Sequence, residues 1–531
     1  MKARRFLAVV LAAGLLLLSL GLGGWWVVLQ RSPLRLQHQP LAVPRAARFV
    51  PRHASLALFL GSDGEQPLAY ARAVAPPRQR RQAVEALAAL RDGAFAAAGL
   101  DYRTELAGWL GPDIALALVA TEPDQAPDGW LLALGSRDGD GARRFLQRFW
   151  QTRSLAGTDL QISSYRGMGL ISGRGSLRGG PAVPLATALV NDNLVLIASG
   201  RGVLEQALDV SQLDELNLAA SPRFRDSVAR LGEGALLLAA RADGIASWLA
   251  LPATPAITPP EQGIRSLVAA LRPAGPALEL EAWLEQAAGA EPWQAQLDGQ
   301  RAAALLAGLQ GDTPSLALLG QPSGWPALLT PLLSRALNAA SGPLPALLAA
   351  ADGGGLLWSQ TETGWLVGTA ADQPAVADLE PQLAQQGLIG APLQLDGQPP
   401  LRVWTSLSAA GRAGRRQGGA AELQVELAGV RASAGGQAWW AQNLAVLERQ
   451  REAHQPPRQR LAQLEALDRP AAPLQWAAGP GPARQLIQAW RPWRLLAGLA
   501  ARPLAPAVQG LAVALEPDGP DLHLKARLDL A

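Results

Sequence analysis

The longest apolar segment of the chain lies close to its first residue. Residues 6–29 are apolar except for Ser19, and three of the five residues before them are basic. A helix of this length, at about 1.5 Å per residue, exceeds the roughly 30 Å hydrocarbon core of a bilayer. We therefore predict that residues 1–30 form a cytoplasmic tip and a transmembrane signal anchor, with residues 6–29 in contact with the lipid bilayer.

The end of this segment favours an uncleaved anchor over a removed signal peptide. A signal peptide has a shorter apolar region, of about 7–15 residues, followed by small residues at its cleavage site. Here the segment is longer and ends in the bulky Trp25 and Trp26, which we predict to lie at the membrane interface. The basic residues before it place the N-terminus in the cytoplasm and the bulk of the chain in the periplasm or lumen, across a plasma or thylakoid membrane.

Short apolar runs alternate with helical periodicities through the rest of the chain. Apolar runs bounded by Gly, Asp or Pro predict strands at residues 56–60, 114–119, 130–134 and 194–198. Helical spacing predicts helices at residues 81–95, 141–150 and 203–208. Strict alternation of apolar and polar residues at 278–281 and 522–525 predicts strands with one solvated face, which favours antiparallel sheets.

Several of these segments have a counterpart further along the chain, in the same order. Residues 56–58, 129–132, 238–240 and 278–282 resemble residues 316–318, 364–367, 476–478 and 522–526. This pattern predicts an internal duplication. The predicted fold class is α+β: a single N-terminal transmembrane helix, a Pro-spaced linker and two similar lobes, each an antiparallel sheet covered by helices. The predicted boundaries are 31–48 for the linker, 49–295 for the first lobe and 296–531 for the second.

Composition narrows the chemistry that the chain supports. Of its residues 49% are hydrophobic and 17% are charged, the net charge is +3, and there is no cysteine. The absence of cysteine excludes disulfides, thiolate nucleophiles and cysteine-based zinc sites. The four histidines share no ligand spacing; they are His38, His53, His454 and His523. We expect no metal site and no cofactor.

Catalytic motifs are also absent from the sequence. It contains no phosphate-binding loop with a Gly-Lys pair, no nucleophile elbow and no His-Glu-x-x-His segment. Gly167 to Gly173 has one residue too many for a dinucleotide fingerprint and predicts a glycine-rich hairpin or loop. We therefore predict that the protein is not an enzyme. The alternative is a hydrolase or transferase that uses a pair of carboxylates, since Asp and Glu are its abundant titratable acids.

Residues suited to binding occur at two places in the body of the chain. Tyr165 and Arg166 adjoin the glycine-rich segment, and Trp439 and Trp440 form a tandem pair in the second predicted lobe. Tryptophan suits interfaces because one end of the indole is apolar and the other donates a hydrogen bond. These four residues are our candidate binding residues. Nucleic acid is excluded as a partner by the predicted location outside the cytoplasm.

Four stretches together resemble a family of cyanobacterial membrane-anchored proteins that is defined by a domain of unknown function. They are Arg48-Phe49-Val50-Pro51, Gly141 to Trp150, Tyr165-Arg166-Gly167-Met168-Gly169 and Asn191 to Ile197. The resemblance covers most of the chain after the anchor and is strongest over residues 48–240. It implies no established activity and assigns no functional residue.

These observations predict a membrane-anchored, extracytoplasmic binding or scaffold protein without catalysis. Its expected partners are a protein of a membrane complex or a lipid. One alternative is the handling of a lipid or another hydrophobic ligand in a groove between the lobes, because tandem lobes often form such a groove. The other alternative is the carboxylate-based enzyme.

Overall fold

The computed structural model describes residues 32–120, 128–155, 157–176, 182–248, 263–287, 293, 295–321, 337, 343–350, 355–371, 374–395, 399–410 and 422–530. The predicted anchor, including Trp25 and Trp26, lies outside the described residues. Of the helices in the described ranges, none combines the length and the apolar character that a membrane crossing needs.

Strands dominate the described residues, and all 20 of them belong to one antiparallel sheet. In chain order the strands are β1 (Leu56–Leu60), β2 (Leu110–Val119), β3 (Gly129–Ser136), β4 (Gln161–Tyr165), β5 (Met168–Ser176), β6 (Ala182–Val190), β7 (Leu194–Ala198), β8 (Leu236–Arg241), β9 (Ile264–Ala274), β10 (Ala277–Gln286), β11 (Ser315–Leu319), β12 (Leu356–Thr361), β13 (Gly364–Ala370), β14 (Leu388–Leu393), β15 (Leu401–Ala410), β16 (Glu422–Ala434), β17 (Gln437–Ala441), β18 (Leu474–Ala478), β19 (Val508–Asp518) and β20 (Asp521–Leu530).

Helices lie between these strands, together with short helical turns at residues 33–38, 45–49, 102–106 and 505–507. In chain order the helices are α1 (Gln66–Val74), α2 (Arg80–Ala97), α3 (Gly139–Leu155), α4 (Arg201–Gln212), α5 (Pro222–Leu231), α6 (Ala242–Trp248), α7 (Gly299–Gly308), α8 (Leu344–Ala350), α9 (Val376–Gln385), α10 (Leu444–Glu452), α11 (Arg458–Glu465), α12 (Pro480–Ala489) and α13 (Arg491–Leu499). The strands and helices predicted within residues 56–208 are confirmed.

Among the described residues, the first compact unit comprises those within 32–238, 270–276 and 499–502. Its strands pair in the order β4-β5-β6-β7-β3-β2-β1, and each of these pairs is antiparallel. Strand β7 is buried along its whole length, which explains its unbroken apolar sequence. Helix α3 presents Phe145, Phe149 and Trp150 to the core, as their i, i+4, i+5 spacing predicts, and Phe145 packs on Trp109 with ring centroids 5.0 Å apart.

The second compact unit comprises residues 239–269, 277–498 and 503–531. Its strands pair in the order β10-β20-β19-β18-β11-β12-β13-β17-β16-β15-β14, again antiparallel throughout. Leucine and valine side chains from these strands form its main core with residues of α7, α10 and α11. A smaller cluster lies under α12 and consists of Ala478, Ala483, Ile487 and Val508.

The predicted fold class is wrong. It placed the alternating segments 278–281 and 522–525 at equivalent positions of two separate sheets. In the structure these segments belong to β10 and β20, which are neighbours in the same sheet, with Glu281 opposite Lys525. The physical reason is that alternation identifies a strand with two unlike faces but carries no information about which strand it pairs with.

Candidate functional site

Tyr165 and Arg166, two of the predicted binding residues, lie at the turn between β4 and β5. Tyr165 pairs with Met168, so Arg166 and Gly167 are the two residues of the turn. Both have positive φ angles, 50° and 80°, as a tight turn of the type I′ class requires. The glycine-rich segment is therefore a hairpin, one of the two forms predicted for it.

Both side chains are held by Asp209, which lies on α4. The Tyr165 hydroxyl donates to Asp209 Oδ2 at 2.7 Å, and Arg166 Nε donates to Asp209 Oδ1 at 2.9 Å. The hydrogen bond with Asp209 raises the pKa of Tyr165 above its usual value, and the same carboxylate raises the pKa of Arg166. These two hydrogen bonds join the β4–β5 hairpin to α4.

Trp439 and Trp440 lie on β17 and are only 5% and 0% exposed. Successive residues of a strand point to opposite faces, so the two indoles enter different parts of the interior. Trp440 stacks on Trp404 with ring centroids 5.1 Å apart, and Arg431 lies over the Trp440 ring at 5.4 Å. The structure places this pair in the core of the second unit, whereas Tyr165 and Arg166 belong to the first unit.

A charged ladder runs along one face of β10, β20 and β19. Trp283, His523 and Glu516 form one row across the three strands, and Glu281 and Lys525 form part of the next row. The residues between them along each strand are apolar. Sequence alternation predicted these two faces but not which charged residues would meet.

His523 lies at the centre of this ladder and is only 4% exposed. Its Nδ1 is 2.9 Å from Glu516 Oε1, and its Nε2 is 2.8 Å from Glu281 Oε1. The imidazole also stacks on the indole of Trp283, with ring centroids 4.3 Å apart. Arg469 approaches both carboxylates, at 3.7 Å from Glu281 and 3.4 Å from Glu516.

The charges of this cluster stabilise one another. Burial lowers the pKa of the His523 imidazole, but the hydrogen bonds with Glu281 and Glu516 outweigh it, so the pKa lies above its ordinary 6.5. The hydrogen bond from His523 holds the pKa of Glu281 below its ordinary 4.5, and Lys525 and Arg469 act in the same direction. An imidazolium that donates from both nitrogens has no lone pair with which to accept a proton. The hydrogen bonds of His523 therefore link β20 to β10 and to β19.

Across the described part of the chain, no group of three or more His, Asp or Glu residues is placed to hold a metal ion.

An apolar surface on β14, β15 and β16 is the best candidate for a binding site. Ile389, Leu407, Val425 and Leu427 are 54%, 52%, 63% and 39% exposed. Ile389 and Leu427 both lie opposite Thr405, and Leu407 lies opposite Val425, so the four side chains share one face of three adjacent strands. We call this set the β14–β16 apolar face.

Sequence reasoning missed this face. Residues 423, 425 and 427 alternate with polar residues, a pattern that normally marks a strand with its apolar side against the core. The side chains of Gln424 and Glu426 point to the other face of β16 and are exposed as well. The ribbon is therefore solvated on both sides at this point, which the pattern alone does not reveal.

Comparison with known proteins gives one family match. The model of a family described as a protein of unknown function, DUF3352, matches residues 9–315. No curated protein matches the chain. Among solved structures, crystal form III of TP0453 is similar with a TM-score of 0.27 and 11% identity, over 51% of this chain and 86% of that chain. Crystal forms I and IV of TP0453 each give a TM-score of 0.25 and 10% identity, over 46% of this chain and 80% of that chain. These TM-scores are too low to carry an argument.

Proposed function

The chain belongs to the DUF3352 family of proteins of unknown function, and we propose that it is a non-catalytic binding or scaffold protein that engages a partner protein through the β14–β16 apolar face. The prediction that the chain belongs to a family defined by a domain of unknown function is thereby confirmed. Cyanobacterial origin and membrane anchoring stay predictions from the sequence.

The exposure of four adjacent apolar side chains is the observation that carries this proposal. Single exposed apolar residues are ordinary on protein surfaces, whereas contiguous apolar patches mark interaction sites. Full burial of a Val, Leu or Ile side chain is worth about 1.5–3 kcal/mol, so covering the exposed half of each residue gains about 1 kcal/mol. Such a gain is enough to make this face the centre of an interface.

Two features of the face favour a protein partner over a lipid. The face is formed by three hydrogen-bonded strands, and such a sheet surface complements another flat protein surface. The reverse side of β16 carries exposed Glu426 and Gln424, so the ribbon has a charged side that an apolar lipid environment would disfavour.

A location outside the cytoplasm is part of the same proposal. It is supported by the apolar run of residues 6–29 and by the basic residues before it, which the positive-inside rule assigns to the cytoplasm. A protease added to intact cells or vesicles should then degrade the body of the chain on the non-cytoplasmic side. Protection of the body from that side would contradict the location without affecting the binding proposal.

The binding proposal is tested by crosslinking from the apolar face, followed by an affinity measurement. Because the chain has no cysteine, Val425→Cys in the full chain provides a single attachment point for a photoreactive label. Ile162→Cys is the matched control, since Ile162 is an apolar strand residue that is 80% exposed. We expect a discrete protein adduct from position 425 that is absent from position 162.

The captured protein is then purified and titrated with the unlabelled full chain. Leu407→Thr together with Val425→Thr places β-branched side chains, which suit strands, at both positions but removes apolar contact, and should weaken binding by roughly tenfold to thirtyfold. Equal affinity of the double variant and the natural chain would overturn the proposal. So would labelling of lipid alone, or of a second copy of this chain.

A further inference from the structure

Helix α13 is amphipathic, yet it buries none of its residues. The preceding helix α12 buries Ala483 and Ile487 against the sheet. In α13, Trp493 packs on the edge of the cluster beneath α12, while Leu495 remains 49% exposed. An amphipathic helix normally gains its stability from a buried apolar face. This helix has apolar residues that the described part of the chain does not fully cover.

Exposed apolar and basic side chains stand together around this helix. Leu486 and Trp490, at the end of α12 and just after it, are 45% and 40% exposed. Arg491 and Arg494 are exposed in the first turn of α13. We refer to Leu486, Trp490, Arg491, Arg494 and Leu495 as the α12–α13 surface.

Every charged residue in the sequence around this surface is basic. Between Asp468 and Glu516 there is no acidic residue. The same stretch contains five arginines: Arg469, Arg484, Arg491, Arg494 and Arg502. Arg469 is engaged with the carboxylates of the charged ladder, and Arg484 donates to the Val508 carbonyl oxygen. Arg491 and Arg494 are the two arginines of the α12–α13 surface, and both are exposed.

This combination points to one kind of partner. A helix with Trp and Leu beside Arg, and with no acidic residue, has the composition of helices that lie in the plane of a membrane surface. Its indole and leucine side chains enter the boundary between headgroups and acyl chains, while the guanidinium groups bind anionic headgroups. We propose that the α12–α13 surface lies on a bilayer that contains anionic lipids.

The test uses the full chain, reconstituted by way of mild detergent into vesicles. Because the chain has no cysteine, Leu495→Cys carries a single spin label whose collisions with oxygen and with a water-soluble nickel complex report its depth locally. The N-terminal apolar segment does not contribute to this signal. Vesicles of phosphatidylcholine alone are compared with vesicles that contain phosphatidylglycerol as well. We expect the label to become accessible to oxygen and shielded from nickel only when phosphatidylglycerol is present.

Replacing the two arginines of α13, with a matched control elsewhere, tests whether these residues dock the surface or whether any loss of positive charge from the chain has the same effect. Each arginine near an anionic surface strengthens binding about fivefold, so Arg491→Gln with Arg494→Gln should shift the equilibrium away from the docked state by roughly 30-fold. Arg449→Gln with Arg451→Gln removes the same charge from exposed positions of α10 and should leave the label docked. About 1 M salt should undock the natural chain, because it reduces the screening length to about 3 Å.

Several outcomes would overturn the proposal. A label that stays accessible to nickel in phosphatidylglycerol vesicles shows that the surface does not reach the bilayer. Equal burial in both kinds of vesicle shows that charge plays no part. Spin–spin broadening together with nickel shielding shows that a second copy of the chain, rather than lipid, covers Leu495.

Discussion

His523 on β20 and Trp283 on β10 lie directly opposite each other, and their rings stack at 4.3 Å with an interplanar angle of 18°. The indole covers one face of the imidazole, while Glu281 and Glu516 occupy its two nitrogens. This contact allows a charged ring to be almost fully buried, because every polar atom of the ring has a partner and the indole face attracts cations. The cluster makes the stability of the β10-β20-β19 region depend on pH.

The hydrogen-exchange protection of these strands should fall as the pH rises above neutrality. Because the pKa of His523 is raised in the folded state, this residue contributes fully to stability below about pH 6.5, its ordinary pKa. That contribution is lost as the pH rises through the pKa of the folded state. Because the pKa of Glu281 is lowered in the folded state, this residue contributes to stability above about pH 4.5, its ordinary pKa. That contribution is lost as the pH falls through the pKa of the folded state. We therefore expect maximal protection factors near about pH 5.5 and lower ones near about pH 8.5.

The substitution His523→Gln should remove most of this pH dependence. The neutral amide removes the cation that bridges the two carboxylates and leaves Arg469 as the cation near both, which should cost about 1–3 kcal/mol in the local opening free energy of β19 and β20. His454→Gln is the matched control, since His454 is exposed. Unchanged protection in the His523 variant, or an equal change in the control, would show that the cluster does not stabilise these strands.

Glu281→Gln should lower the pKa of His523. This carboxylate provides a charge-assisted hydrogen bond to Nε2, and its replacement by an amide removes the charge while keeping the shape. Glu279→Gln makes the same change two residues away, where the carboxylate bonds to Arg527 at 2.7 Å. NMR titration of the imidazole signal that disappears in His523→Gln measures the effect. A larger shift from the Glu279 variant would contradict the assignment of Glu281 as a direct partner.

The sequence was sufficient to identify these strands but not their contacts. The alternation at 278–281 and 522–525 predicts strands with one solvated face; both strands are confirmed, but His523 on the polar face of β20 is only 4% exposed. Pairing of β10 with β20 depends on residues more than 200 positions apart, and no local pattern encodes it. His523 shares no ligand spacing with the other histidines, so the sequence indicates no partner for it, whereas in the structure its partners are two glutamates on neighbouring strands.

Asp209→Ala should loosen the hairpin of β4 and β5 without unfolding the first unit. The substitution removes the acceptor of both Tyr165 and Arg166. These groups are on the surface, where a single ion pair contributes little, so we expect a few-fold faster hydrogen exchange confined to the hairpin. Asp214→Ala, in the turn after α4, is the control for loss of an acidic residue nearby. Uniformly faster exchange across β3 and β7 would instead indicate damage to the core.

The roles predicted for the tandem tryptophans show a further limit of sequence reasoning. A tryptophan pair fits both a binding surface and a core, and only the packing around β17 distinguishes them. In the structure β17 lies between β13 and β16, and both neighbours contribute buried residues. Composition could not reveal this, because β13, the neighbour of β17 on its other side, ends at Ala370, more than 60 residues before β17 begins.

Gly368→Ala should destabilise the second unit through its contact with Trp439. Gly368 on β13 lies opposite Trp439 on β17, and an added Cβ would lie 2.8 Å from Cζ3 of the indole. The indole is 5% exposed and cannot move without disturbing its neighbours, so overpacking should cost about 1–3 kcal/mol. Gly481→Ala is the matched control, because nothing lies within 4 Å of the Cβ position there and alanine favours the helix. Thermal unfolding, with hydrogen exchange of β13 and β17 as the local readout, should show a loss only for Gly368→Ala. If that variant keeps its midpoint and its protection, the Trp439 ring has room to shift and the packing inferred for β17 is looser than the geometry indicates.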